Sequence, residues 1–372
     1  MESPTLSRRQ WLVRPAQGHL EIESVGRSRL LHNGVSQERC RAAEGDVVSV
    51  EGVVSFFVER RPARLPPLAE TSFPFGAPDA YGMVGESLPA WELRRRLSAL
   101  RHETCHVLLL GESGAGKELA ARSLHGPPNA RRPFVSRNAA TIPASLIEAE
   151  LFGNAPNYPN GGMPARQGLI GSADGGDLFL DEIAELGEAQ QASLLRVLDA
   201  GEYQRLGEDR LRVSRLRLIG ATNRSPERLK PDFLARFAER ICVPSLTERA
   251  ADVPLLAKRL VQNLRPQDPP GFTQALLEAL VRHEYTLHAR ELERLVRNAC
   301  RAAPGPLLDL SEELRSELKL RGLPQEFDAQ TVQATLSQAR NVEEAARQLG
   351  LPNRYALYRV MRRLGLPTRH NG

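Results

Sequence analysis

Between residues 10 and 58 the apolar positions fall in short runs, Gln10 to Val13, His19 to Ile22, Asp46 to Val50 and Val53 to Val58, separated by the turn formers Asn33-Gly34 and Glu44-Gly45-Asp46. Runs of that length between turn signals predict strands, and hence a small β unit over residues 1–60. The stretch Arg60 to Ala80 then carries Pro62, Pro66, Pro67, Pro74 and Pro78. Proline removes backbone donors and disfavours regular structure, so residues 61–80 read as a linker. From Tyr81 the period alternates. Apolar strands at Val107 to Leu110, Leu178 to Leu180 and Leu216 to Ala221 are interleaved with helical segments that start at Lys117 and run from about Ala189 to Ala200. Strand and helix in alternation predict an α/β fold, a parallel sheet with crossover helices, over residues 81–245. After Leu246 the period is helical, through Val253 to Asn263, Thr273 to His283 and Arg290 to Arg301, which predicts a separate helical lid over residues 246–305. Pro304 to Pro306 break that pattern. Residues 306–325 read as a second linker, and helices from about Asp328 to Leu364, interrupted at Gly350-Leu351-Pro352, predict an all-α unit over residues 326–372.

Composition narrows the class. At 372 residues the chain exceeds what one hydrophobic core usually serves, in keeping with several units. The formal charge of +5 and pI near 9.2 are mild, so the placing of the arginines matters more than their sum. Cys40, Cys105, Cys242 and Cys300 are scattered and form no CxxC pair, which argues against a disulfide framework or a zinc cluster and fits a reducing compartment. Met1 to Pro15 holds no apolar core of a secretion signal, and no run approaches the roughly 20 apolar residues that span a bilayer. A cytoplasmic protein without a membrane partner is expected.

The chemistry begins where Leu108 to Leu110 run into Gly111-Glu112-Ser113-Gly114-Ala115-Gly116-Lys117. A strand, a glycine-rich turn and a helix start make a triphosphate cradle: glycine permits the tight backbone, several N–H groups turn inward, and Lys117 supplies positive charge. Glu118 stands where many such loops place a Ser or Thr hydroxyl on Mg²⁺. The second half of the site is Leu178-Phe179-Leu180-Asp181-Glu182, an apolar strand ending in paired carboxylates. Asp181 suits Mg²⁺, and Glu182 suits positioning and polarising an attacking water. Each motif alone has a plainer reading, a turn that serves packing or a helix N-terminal cap. Their combination points to ATP with Mg²⁺.

With these motifs in hand, the chain resembles the AAA+ domain of bacterial enhancer-binding proteins, activators that remodel sigma-54 RNA polymerase. The resemblance covers about Tyr81 to Ala303: Val84-Gly85-Glu86-Ser87, the Gly111 to Glu118 loop, Glu150-Leu151-Phe152-Gly153, Asp174 to Ile183, Ala221-Thr222-Asn223-Arg224 and Ala289-Arg290-Glu291-Leu292. It implies that Asn138 is a switch asparagine able to hydrogen-bond the catalytic Glu182, that Asn223 is a polar sensor near the γ-phosphate, and that Arg290 is the lid arginine that reports nucleotide state. From the residues alone, Asn138 as a turn residue and Arg290 as a solvated helix residue stay open. The resemblance also implies a homo-oligomeric ring, usually a hexamer, in which an arginine of one subunit serves its neighbour. In the segment Phe233 to Ile241 the chain keeps Arg240, has Leu234 in place of the family's first arginine, and offers Arg236 as a displaced substitute. The loop that in the family reads Gly-Ala-Phe-Thr-Gly-Ala and contacts sigma-54 is here Asn157-Tyr158-Pro159-Asn160-Gly161-Gly162, so Pro159 and Asn160 replace the contacting Phe and Thr.

Near the end, Asn341 to Arg359 is similar to the Fis-type helix-turn-helix that closes many members of that family. Ala346, Leu349, Leu357 and Val360 are expected to pack its helices. From Arg347 onward there are arginines at 347, 354, 359, 362, 363 and 369 and no Asp or Glu, the charge pattern of a DNA-binding helix. Asn353 is placed to cap the second helix. Arg354, Tyr355 and Arg359 are candidates for DNA contact, and Arg362 and Arg363 for phosphate. A helical hairpin used for dimerisation is the alternative, and the two readings are compatible. At the other end, Asn33-Gly34 and Glu44 to Val50 resemble the closing strands of a forkhead-associated domain. About half of such a domain fits before the linker, and Gly26-Arg27 lies too close to these strands to bind phosphothreonine, so a degenerate sensory or packing module is expected.

Overall fold

The computed structural model describes residues 6–65, 73–127, 131–303, 305–319, 328–339, 341–349, 351, 354–364 and 366. They fall in two units, Met1–Leu318 and Lys319–Gly372.

At the N-terminus, seven short strands form two antiparallel sheets. One is β1 (Trp11–Ala16), β2 (His19–Ser24) and β5 (Arg39–Ala43), in that order; the other is β4 (Val35–Gln37), β3 (Leu30–His32), β6 (Val47–Val50) and β7 (Val54–Phe57). Three of these strands, β3, β4 and β5, go beyond the runs read from the sequence, because they are short and alternate with exposed polar residues. The Asn33-Gly34 turn behaves as its residues require: both take positive φ (51° and 82°), which suits a tight hairpin. Ile22, Leu30, Cys40, Ala42 and Val48 form the small core, and Trp11 meets Phe56 edge-on at 5.5 Å across the two sheets. Asp46 fixes one end, taking His32 Nε2 at 3.0 Å, Asn33 Nδ2 at 2.8 Å and the Ala43 N–H at 2.8 Å.

The stretch expected to be a linker is docked from Phe73 onward. Arg94 of α1 (Leu88–Leu100) stacks over the Phe73 ring and pairs with Asp79 at 2.9 Å. Ser87 caps α1 and is itself held by Asp252, which accepts from the Glu86 N–H, the Ser87 N–H and the Ser87 hydroxyl at 2.6 to 2.8 Å. This ties the opening of the α/β region to the start of the lid, across 165 positions of sequence.

The central sheet contains β8 (Val107–Leu110), β9 (Phe134–Asn138), β10 (Asp177–Asp181), β13 (Arg217–Thr222) and β14 (Glu239–Cys242). All are parallel, in the order β14-β8-β13-β10-β9. The three central strands are apolar and buried, as parallel strands covered on both faces must be. Crossovers run through α2 (Lys117–His125), α3 (Ile147–Phe152), α4 (Gly168–Ser172), α5 (Glu188–Ala200), the hairpin of β11 (Glu202–Tyr203) and β12 (Arg212–Val213), and α6 (Pro231–Leu234). The N-terminal end of β10 is pinned by a buried charge cluster. Asp177 meets Arg217 at 2.7 Å and His125 at 2.7 Å, while Arg217 donates to the carbonyls of Leu100 and Leu124.

The lid comprises α7 (Val253–Leu264), α8 (Gln274–Arg282) and α9 (His288–Ala302), with β15 (Gly271–Phe272) paired to β16 (Leu307–Leu308) and α10 (Glu312–Glu317) packed on it. Leu308, Leu314 and Leu318 are buried in the lid's core, so the chain to Leu318 completes the lid rather than running past it as a linker. The helix that carries Leu314 has only six residues, too few to register as a helical stripe, which is why only the packed structure reveals them. The β unit also enters this core through Val47 and Phe57. Beside them Ser49 and Ser55 donate to Glu278 Oε1, and Arg282 donates to the Asn33 carbonyl.

In the second unit, α11 (Ala329–Gln338), α12 (Val342–Gln348) and α13 (Arg354–Arg363) enclose Val332, Ala345, Ala346, Leu357, Val360 and Met361. Asn341 caps α12 by accepting the Glu344 N–H at 2.8 Å.

Candidate nucleotide site

The site forms where the C-terminal ends of β8, β9 and β10 open, the usual place for a ligand in a parallel sheet. After Leu110 the chain turns through Gly114 and Gly116, both at positive φ (83° and 105°), and α2 begins at Lys117. Gly114 has a second reason to lack a side chain, since a Cβ there would lie 2.3 Å from the Leu287 carbonyl of the lid. The backbone N–H groups at the start of α2 face a cavity of 380 Å³, within the range of small-molecule sites.

Among the residues singled out from sequence, the cavity gathers Ser113, Gly114, Gly116, Lys117 and Glu118 from the loop and α2. Asn138, Asp181 and Glu182 come from the strand ends, and Arg290 from the lid. Lys117 is 6% exposed, with Nζ donating to the carbonyls of Gly111 and Glu112 at 2.9 and 3.2 Å. Burial pushes its ammonium down, and the carboxylates of Glu182 and Asp181 push it back up. The cavity thus holds one buried cation opposite two carboxylates.

Glu182 occupies the left-handed region at φ 51°, a costly conformation for this residue type that clusters at functional positions. It turns the carboxylate so that Oε2 accepts the Asn223 N–H at 3.3 Å. That contact brings Asn223 beside the glutamate through its backbone. The hydrogen bond expected between Asn138 and Glu182 is not formed. Asn138 lines the same cavity, but its Oδ1 accepts the Ala140 N–H at 2.9 Å and caps the short turn after β9. A local backbone donor two residues away is the nearer partner. Arg290 donates to Ser113 Oγ at 3.2 Å, so the lid arginine already touches the loop. Glu118 pairs with Arg122 one turn along α2 at 2.9 Å. Gly111, Glu112 and Ala115 shape the loop without lining the cavity, and Glu112 instead turns to the lid, with Oε2 2.8 Å from His288 Nε2.

Sequence reading missed His288, and it missed Arg249, which is 8% exposed and donates to the Ala115 carbonyl at 3.0 Å. Both come from the lid, far along the chain from the loop they touch. Leu119 and Arg122 of α2 also line the cavity; they come directly after the motif, and helical spacing alone could have nominated them.

Two further expectations meet the structure outside the cavity. Arg240 lies exposed on β14, at the edge of the sheet. Arg236, the displaced substitute for the missing arginine at Leu234, is bound within its own chain: Nε and NH2 both donate to Asp199. In the loop between α3 and α4, Pro159 and Asn160 are exposed, while Asn154 is buried and donates to the carbonyls of Ala155, Tyr158 and Pro164. In the second unit, Arg354, Tyr355, Arg359, Arg362 and Arg363 all fall on α13, and Asn353 lies outside the described residues. No helix among the described residues is long and apolar enough to cross a membrane.

Comparison with known proteins agrees with this geometry. Residues 83–243 match the family model described as the Sigma-54 interaction domain. The Nif-specific regulatory protein of Azotobacter vinelandii is 38% identical, over 68% of this chain and 53% of that protein. The transcriptional regulatory protein ZraR of Escherichia coli (strain K12) is 32% identical, over 76% of this chain and 69% of its own length. Among solved structures, NtrX from Brucella abortus in complex with ADP superposes with a TM-score of 0.58 at 26% identity, covering 77% of this chain and 70% of that one. The chain spans about half the length of the Azotobacter relative. By its fold, its loop and these matches, the chain belongs to the bacterial enhancer-binding proteins, the AAA+ regulators that carry a sigma-54 interaction domain.

Proposed function

We propose that this chain is an ATP-dependent transcriptional regulator that binds DNA through its C-terminal helices and hydrolyses ATP in a homo-oligomeric ring, a hexamer by family resemblance, acting on sigma-54 RNA polymerase. The observation that carries the reading is the convergence of Lys117, Asp181, Glu182, Asn138 and Arg290 on one cavity at the strand ends. The NtrX structure solved with ADP supports a nucleotide as its occupant.

In this reading the loop N–H groups and Lys117 hold the phosphates, because the helix start and a buried ammonium both favour negative charge. The oxygen donors fit a hard divalent cation: Asp181 would hold Mg²⁺, and the ion would supply positive charge beside the phosphates. Glu182 accepts a proton from the attacking water, Asn223 keeps that carboxylate in place, and Asn138 stands ready to engage it. Arg290 senses the phosphates from the lid, and Arg240, exposed on an edge strand, reaches into a neighbouring subunit's site. Arg354, Tyr355, Arg359, Arg362 and Arg363 supply the DNA-facing surface of α13, with Asn353 at its start.

The test is a single reaction holding sigma-54 polymerase, a promoter bearing this protein's site, and ATP, with hydrolysis and promoter melting both followed. Melting that depends on ATP and on this chain is the expected result. Absence of hydrolysis overturns the reading. Hydrolysis without melting would favour the second reading, a DNA-binding regulator whose nucleotide controls assembly, which the exposed Pro159 and Asn160 and the bound Arg236 recommend.

A further inference from the structure

A phosphate-binding loop works by presenting N–H groups and positive charge to an anion, yet this one carries a carboxylate of its own at Glu112. We propose that His288 is a positioning residue for the nucleotide site: it takes up the Glu112 carboxylate and so keeps the loop receptive to a phosphate chain. The proposal deepens the ATP reading and rests on it.

The two side chains are enclosed, 1% exposed for His288 and 11% for Glu112, with Nε2 2.8 Å from Oε2. An ionised carboxylate only accepts, so Nε2 carries the proton of this hydrogen bond. His288 is held for the purpose at some cost. It stands at φ 49°, in the left-handed region that strains a residue with a Cβ, and glycine or asparagine would begin α9 with less strain. Its other nitrogen, Nδ1, is buried with no hydrogen-bond partner among the described residues. Buried side-chain nitrogens are mostly satisfied, so this one calls for an explanation. The next two residues continue the seam: the Ala289 N–H donates to the Gly114 carbonyl at 3.2 Å and Arg290 donates to Ser113 Oγ at 3.2 Å. The start of the lid helix therefore meets Glu112, Gly114 and Ser113, and His288 engages the loop's negative charge by a direct hydrogen bond. Without it the carboxylate stays in a loop whose Lys117 already responds to the Glu112 charge, and it would compete with the phosphates for that lysine.

The experiment is binding of a fluorescent ATP analogue to the full chain, for the parent, His288→Ala, Glu112→Gln and the double variant, with Lys117→Ala as reference. His288→Ala is expected to weaken binding about tenfold, equivalent to about 1.4 kcal/mol, and by less for the corresponding AMP analogue, which carries less charge. Glu112→Gln is expected to tighten binding about threefold, because the loop loses its own negative charge. The double variant is expected to return to at least the parent's affinity. A double variant as weak as His288→Ala, or an equal loss for ATP and AMP analogues, would show that the histidine merely packs and would overturn the proposal. If His288→Ala does not fold, Glu112→Gln decides alone, since any failure to tighten overturns it. A parent that binds no better than Lys117→Ala would instead sink the nucleotide reading itself.

Discussion

Glu182, Glu112 and Glu291 share one side chain and differ in what surrounds it. Glu182 is aimed by a left-handed backbone and one N–H, Glu112 is taken up by a histidine, and Glu291 organises the approach to α9. The proposed function gives Glu182 and Lys117 separate tasks, so their variants should separate. Lys117→Ala is expected to lose nucleotide binding, whereas Glu182→Gln should still bind and hydrolyse at least about a hundredfold more slowly, the usual loss of a general base. Equilibrium binding and steady-state hydrolysis on both proteins check this, and parental turnover in Glu182→Gln would reject the assignment. Glu291 gives a prediction in pH. Burial alone would raise its carboxyl, but the Leu287 N–H, His283 and the Thr286 N–H outweigh burial and hold it below its ordinary value of 4.5. A depressed carboxyl stabilises the fold above that value, and the contribution is lost as pH falls through the lowered one. Glu291→Gln should therefore cost about 2 kcal/mol at pH 7, the scale of hydrogen bonds to a charged acceptor. The gap from the parent should shrink in thermal melts as the pH falls below 4.5 and through the lowered value, where the carboxyl takes up its proton. These residues were legible to different degrees. Lys117, Asp181 and Glu182 belong to contiguous motifs, while His288 and Arg249 matter only because the lid folds back over the loop.

At the level of elements, strands with an unbroken apolar run were readable, and those whose faces differ were not. Val107 to Leu110 and Leu178 to Leu180 carry apolar side chains at every position, nearly all of them fully buried. By contrast β9 and β14, at the two edges of the sheet, interleave polar residues such as Ser136, Arg137, Glu239 and Arg240. Edge strands need less burial, so their pattern is diluted. The helix α8 serves two neighbours at once. One face packs in the lid, and the other accepts the β unit through Glu278, which draws Ser49, Ser55 and Gln274 to a single oxygen. Glu278→Ala should leave buried donors unsatisfied at a cost of about 1–3 kcal/mol. Hydrogen exchange should then rise in β6 and β7 while the central sheet stays protected. Unchanged exchange in Val47–Phe57 would show that the β unit does not depend on this contact.

For the whole molecule, the separation at Leu318 yields the clearest prediction. Every core cluster of the first unit closes within residues 1–318, so a chain ending at Leu318 is expected to fold and retain nucleotide binding. It should lose site-specific DNA binding, and the full chain's DNA affinity should fall steeply with salt as arginines release counterions from phosphate. Gel-shift assays over a salt series compare the two, and DNA binding retained by the shortened chain would reassign that role away from the terminal helices. The amino-acid sequence by itself determined the α/β class, the phosphate loop, the carboxylate pair and the basic end, because each is written in neighbouring residues whose spacing dictates local backbone geometry. Tertiary structure alone decided that Asp252 holds the start of α1, that Glu278 receives the β unit, that Arg236 is occupied by Asp199, and that His288 meets Glu112. Those pairings join positions separated by 37 to 229 residues, and a chain's local pattern holds no record of which distant partner folding will bring within hydrogen-bond reach.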